Sequence, residues 1–280
     1  MAQHSSGETP PGATDTHLHI YEPGHAANPL AVSGPEPDAT LADYRREMAR
    51  LGIARAVIVQ PSAYGTDNTC TLAALAELGP AARGIAILDE ATGERELDLL
   101  SAQGMVGLRC FMLNPGGMMT WERVARMAPR VTARGWHLDL QFDGGEWPER
   151  EDFVRALPGT LVIDHVGKFL APVDPGGPEV AALLRLLDSG RAWVKLSAPY
   201  ETSRSGPPDY ADVSAIARRL VRHAPDRCLW ASNWPHPGQA PRPDSRTLLD
   251  LLAEWAPQAE IRRRILVDNP GRLYGFASPA

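Results

Sequence analysis

Apolar residues along this chain come in two alternating patterns: short runs rich in Val, Ile and Leu, and longer stretches in which they recur at steps of three and four. The first pattern predicts strands buried on both faces, the second amphipathic helices packed against them. Strands are expected at 13–20, 53–60, 83–88, 105–112, 137–142, 160–166, 192–198 and 227–234. Helices are expected at 41–51, 68–78, 94–103, 121–134, 148–156, 179–187, 210–223 and 245–255, with a last one at 260–267. In the first of these, Leu41, Tyr44, Met48 and Leu51 share one face. Regular alternation of this kind predicts an α/β fold with a parallel sheet, and eight strands fit a single (β/α)8 TIM barrel. The barrel should occupy residues 13–280 behind a disordered leader at 1–12, with the Pro/Gly-rich stretches 22–38 and 239–244 as long loops. An open doubly wound sheet is the rival, but no GxGxxG turn follows the first strand and no P-loop occurs.

Composition narrows the partner. A net charge of −6 with no basic block argues against nucleic acid, because phosphate neutralisation needs clustered Lys and Arg. No apolar run reaches bilayer-spanning length and the N-terminal stretch lacks an apolar signal core, so no membrane partner is expected. Cys70, Cys110 and Cys228 form no CxxC pair and are expected as reduced thiols of a cytoplasmic protein. A small molecule is left as the ligand.

In barrels of this type chemistry sits at the C-terminal ends of the strands. The first strand ends in Thr16-His17-Leu18-His19, and residues two apart point to one face, so both imidazoles can enter the mouth. The sixth reads Ile163-Asp164-His165-Val166-Gly167-Lys168. Here the parity reading turns His165 inward with Ile163 and leaves Asp164 on the opposite face, as a partner that fixes a ring tautomer, while Lys168 is a substrate contact. The eighth ends Ser232-Asn233-Trp234-Pro235-His236-Pro237, where two prolines stiffen the exit and hold Asn233 and His236 near the mouth. Arg109 at the end of the fourth strand is either a guanidinium awaiting a ligand carboxylate or a structural salt-bridge residue. Gln60 and Ser62, Asp139 and Gln141, Lys195 and Ser197, and Tyr200 just beyond complete the polar strand ends.

Asp15-Thr16-His17-Leu18-His19, Val59-Gln60-Pro61-Ser62, Gly65-Thr66-Asp67-Asn68, Ile163-Asp164-His165-Val166-Gly167-Lys168, Ser232-Asn233-Trp234-Pro235-His236 and Asn269-Pro270-Gly271-Arg272-Leu273-Tyr274-Gly275 occur in this order across nearly the whole chain. The set resembles the amidohydrolase-2 branch of the amidohydrolase superfamily. Within it the chain is similar to the lactone-processing group of pyrone-dicarboxylate lactonases and sugar lactonases, and most of all to galactarolactone isomerases. The resemblance implies a TIM barrel acting on a carboxylated sugar-acid (aldaric) lactone, without a metal. One position departs: hydrolytic members carry an aspartate where this chain has Asn233, whose amide neither takes a proton from water nor binds a cation well. Metal-independent ring migration or ring opening is therefore expected, with His17, His19, His165, Asn233 and His236 as catalytic candidates. Gln60, Ser62, Arg109, Gln141, Lys168, Lys195 and Tyr200 are the candidate substrate contacts. Zinc on His17, His19 and His165, in a metal-dependent hydrolase of another cyclic ester or amide, is the alternative. A ligand-binding barrel without turnover is the alternative of another class.

Overall fold

The structure, a computed structural model, describes residues 8–277. Eight strands follow one another as β1 (Thr14–Leu18), β2 (Arg55–Val59), β3 (Ala82–Ala86), β4 (Met105–Phe111), β5 (His137–Gln141), β6 (Leu161–Ile163), β7 (Ala192–Leu196) and β8 (Cys228–Trp230). Between them run α1 (Leu41–Leu51), α2 (Thr69–Leu78), α3 (Glu94–Ala102), α4 (Trp121–Thr132), α5 (Trp147–Ala156), α6 (Pro178–Asp188) and α7 (Ala211–His223). After β8 come α8 (Ser245–Trp255), α9 (Ala259–Arg263), a π-turn over Arg264–Asp268 and α10 (Asn269–Tyr274). Every strand pairs in parallel with its sequence neighbour. The seam is bridged between Leu18 and Trp234, with Asn233 N donating to His17 O at 2.9 Å and His19 N to Trp234 O at 2.8 Å. Eight parallel strands thus form the expected barrel, nearly closed in its ladder.

Side-chain chemistry at the seam reinforces it. Asp15 Oδ1 accepts from Ser232 N at 2.9 Å and from His17 N at 3.2 Å, while Thr16 Oγ1 donates to Trp230 O at 2.8 Å. Helix ends follow the sequence: Thr40 and Asp43 form a capping box on α1, Gly52 closes it in the left-handed region, and Asp244 caps α8. The large apolar core lies between strands and helices. A smaller one, with Val57, Val59, Ile85, Val162 and Leu229, takes the opposite strand parity, inside the barrel, where Tyr274 and Phe276 pack against it. Residues 1–7 of the expected leader lie outside the described residues; Thr9 Oγ1 already donates to Leu51 O at 2.7 Å.

Every strand ends before its predicted limit, β6 and β8 by the most. β6 stops at Ile163, and His165, Val166, Gly167 and Lys168 all take positive φ. The parity reading of this strand is corrected by its packing. Val162, not Ile163, faces the interior, so Asp164 continues inward, and His165 is brought inward by the left-handed turn. That turn docks on the one after β5: Gly144 N donates to Lys168 O at 2.8 Å, and a Cβ at Gly144 would run into the Gly167 carbonyl oxygen. β8 stops at Trp230, and Asn233 and His236 also sit at positive φ.

Candidate active site

The strand ends build two layers. In the deeper one, Lys195 from β7 donates to Asp139 Oδ2 of β5 at 2.5 Å, with Asp164 Oδ1 at 3.0 Å and His17 Nδ1 at 3.2 Å. All four side chains have 0 % exposure, which removes water as a source of compensation. Burial alone would lower the Lys195 ammonium, but Asp139 and Asp164 outweigh it and hold the lysine above its ordinary value. Burial would likewise raise Asp164, yet Lys195 and His17 keep it well below the carboxylate range. His17, desolvated despite Asp164, falls to about 4 and is neutral. Its Nδ1 faces both the Lys195 ammonium and, at 3.3 Å, Asp164 Oδ1, while Nε2 has no hydrogen-bond partner among the described residues. His137 Nε2 lies 2.9 Å from Asp139 Oδ1 at the base of the layer.

Above it opens a cavity of about 300 Å³. His19, Arg109, Gln141, His165, Lys168 and Asn233 line it, as does Ser62. His19 Nδ1 lies 2.8 Å from Val59 O, and a carbonyl can only accept, so Nδ1 carries the hydrogen and Nε2 is left as the ring's acceptor. His165 Nδ1 meets Ser197 Oγ at 2.8 Å. Burial, with Arg109 adding to it at His19, holds both imidazoles well below their ordinary value. Arg109 donates to Gln60 O at 2.8 Å and to Gln141 Oε1 at 3.3 Å, and its Nε is unpartnered. Among the described residues it has no carboxylate partner, although it is 6 % exposed, so the structural salt-bridge reading does not describe it.

Lys168 pairs with Glu201, which also lines the cavity. Burial pushes Lys168 down to about 8, Arg109 adding and Asp164 opposing. Glu201 Oε1 accepts from Asn233 Nδ2 at 3.0 Å, and the same amide nitrogen donates to Tyr200 Oη at 2.9 Å. Tyr200 therefore passes its own hydrogen to His236 Nδ1, 2.9 Å away, and His236 Nε2 meets Ser245 Oγ at 3.0 Å. His236, desolvated to about 4, is neutral in this chain of bonds.

The sequence candidates therefore separate. His19, Ser62, Arg109, Gln141, His165, Lys168 and Asn233 stand on the cavity wall. His17 and Lys195 are one layer deeper, and Tyr200 and His236 stand behind Asn233. Gln60 is a support: its amide donates to Gly65 O and Asp67 O, accepts from Thr71, and leaves only its main-chain carbonyl for Arg109. Glu201 and Tyr21 are wall residues that strand-end reading missed. Glu201 follows a short turn after β7, and its nearness to Tyr200 was the available signal.

Ligand atoms of His17, Asp164 and His165 lie within 4.8 Å of one another, so the zinc alternative survives only with Asp164 in the place given to His19. Lys195 is the feature that fits such an ion poorly. Its ammonium already faces both His17 Nδ1 and Asp164 Oδ1, and a divalent ion on those atoms would sit against a fixed positive charge.

A family model described as amidohydrolase matches residues 14–276. D-galactarolactone isomerase of Agrobacterium fabrum is 40% identical over 95% of this chain and 91% of that protein. A 2-pyrone-4,6-dicarboxylate hydrolase of Comamonas testosteroni is 35% identical over 95% of this chain and 90% of its own. A solved apo structure from Agrobacterium tumefaciens superposes with a TM-score of 0.90 at 39% identity, covering 97% of this chain and 98% of that one.

Proposed function

Because the chain belongs to the amidohydrolase family, as the match over 14–276 establishes, we propose that it processes a carboxylated sugar-acid lactone without a metal, by moving the acyl group between two substrate hydroxyls. The observation that carries this reading is Arg109: a buried guanidinium on the wall of a ligand-sized cavity, lacking any carboxylate of the protein, fits a carboxylate of the ligand. The relatives named for galactarolactone and pyrone-dicarboxylate chemistry act on rings that bear such a group.

The step itself needs no water. A substrate hydroxyl oxygen bonds to the lactone carbonyl carbon while its proton passes to a neutral ring nitrogen, for which His19 Nε2 is the free acceptor. The carbonyl oxygen gains charge beside Lys168 and Arg109. The old ring C–O bond then breaks, and the departing oxygen takes the proton back. Asn233 favours this over hydrolysis, since its amide nitrogen is committed to Glu201 and Tyr200 and supplies no base for water. Ring opening is the second reading, favoured by one observation: Glu201 does place a carboxylate on the wall. No step is assigned to a metal, in view of Lys195.

Product NMR on D-galactarolactone with purified protein, with and without chelator, tests the reading. Ring migration unaffected by chelator is expected, and Arg109→Met should weaken binding roughly tenfold to a hundredfold while the protein stays folded. Chelator-sensitive turnover with stoichiometric zinc would overturn the metal-free mechanism, and an unchanged KM in Arg109→Met would remove Arg109 from the site.

A further inference from the structure

The cavity is electrically two-ended. From β4 it receives a guanidinium with no counter-ion, and from the turn after β7 a carboxylate. Lys168, the other wall cation, is already matched to that carboxylate. Among the described residues Glu201 is the only acid on the wall; Asp139 and Asp164 lie below it, against Lys195. Its two oxygens are fixed by Asn233 and Lys168 from the protein side, and each retains acceptor capacity towards the cavity.

We infer that Glu201 is the residue that sets ligand choice, receiving hydroxyl hydrogens and excluding a second carboxylate, so that the cavity takes a polyhydroxylated ring with one carboxylate rather than a flat dicarboxylate. The inference rests on the lactone reading above and sharpens its substrate class. A ring hydroxyl gives Glu201 a charge-assisted hydrogen bond. A ring without donors leaves the cavity-facing acceptor capacity of Glu201 unfilled beyond its bonds to Lys168 and Asn233, and sites built to bind a hydroxyl reject analogues that lack it more strongly than size alone would. A second carboxylate facing Glu201 adds like-charge repulsion, with Lys168 already engaged. Glu201→Gln removes the charge but keeps an oxygen that can accept from Asn233, and it frees Lys168 for an anion.

Calorimetric titration of wild type and Glu201→Gln with D-galactarolactone and with 2-pyrone-4,6-dicarboxylate tests this, with product NMR run in parallel. The wild type should prefer the hydroxylated ligand. In Glu201→Gln its affinity should fall about tenfold while that of the dicarboxylate rises several-fold, so that the ratio moves by more than tenfold. Glu201→Asp, which keeps the charge, should still refuse the dicarboxylate and serves if the Gln variant does not fold. Equal losses for both ligands, or an unchanged ratio, would overturn the inference. Turnover with an unmoved ratio sinks only the role of Glu201; a moved ratio without turnover sinks only the catalytic reading; binding of neither ligand sinks both.

Discussion

Lys195 and Lys168 are both buried at the mouth of the barrel, yet their surroundings drive them in opposite directions. Lys195 has two carboxylates and no water, and is held above its ordinary value against burial. Lys168 is pushed down to about 8 by burial, with Asp164 opposing and Arg109 adding, and its one contacting carboxylate among the described residues is that of Glu201. Burial alone therefore does not decide whether a charge persists at depth. The number of counter-charges within a few ångströms decides it, and the same rule separates a fixed ionic layer from a cavity wall on which Arg109 is left to meet a ligand.

The largest way to break this contrast is Lys195→Met, which strands Asp139 and Asp164 without their cation. Loss of one partner of a buried ion set costs about 3–5 kcal/mol. Chemical denaturation should show a loss of that size, and a change below about 1 kcal/mol would mean that the two carboxylates do not depend on Lys195. The corresponding loss at Lys168 should appear in ligand binding more than in stability.

Acid should come next. His17 and His236 each fall from 6.5 to about 4, so the unfolded chain binds their protons first as pH drops. Their contribution is present above pH 6.5 and is lost as pH falls through 4. Asp15, raised by burial to about 6, acts oppositely: the folded state holds its proton more tightly, and that contribution is lost as pH rises from 3.8 to 6. It offsets one of these two, and His19 and His165, also held well below their ordinary value, add to the loss in the same direction, so stability falls by at least about 3 kcal/mol between pH 6.5 and 4. Unfolding free energies across that range should show this slope, reduced in His236→Gln. A slope of the other sign would mean that these histidines are charged in the folded protein.

Asn233→Asp gives the smallest effect and sharpens the comparison most. A carboxylate there stands about 3.0 Å from Glu201 Oε1, so the two share a proton near neutral pH. Ring opening should rise relative to migration by only a few-fold at pH 7, an effect under about 1 kcal/mol, and more as pH approaches 8, with KM increased. A folded, substrate-competent variant that forms no hydrolysis product would remove position 233 from the choice between the two reactions.

The order of elements, the barrel and most of the wall were legible along the chain, because hydrophobic period and chain reversal are local properties. Helix 245–255 was read with both ends as found, and Thr40, Asp43 and Gly52 mark α1 in the sequence itself. Where strands stop was less legible. The early end of β6 depends on four consecutive left-handed residues, a conformation that Gly167 permits at no cost but His165, Val166 and Lys168 adopt only under tertiary constraint.

The site was legible as a set of residue types and not as an arrangement. His19, His165, Arg109, Gln141, Lys168 and Asn233 were named from their strand ends and do meet in one cavity, since alternation along a strand fixes the face of each side chain. Whether Gln60 faces ligand or loop, whether Lys195 meets substrate or two aspartates, and whether Tyr200 and His236 touch the cavity or stand behind Asn233 were settled only by contacts between residues far apart in the chain. Glu201 was invisible for the same reason: it lies on no strand, and its meeting with Asn233 and Lys168 joins three separate βα turns. The sequence by itself determined which groups stand at the barrel mouth. Only the closed barrel decided which of them neutralise one another and which are left facing the ligand, because partnering in a low-dielectric interior depends on distances of a few ångströms that no local pattern encodes.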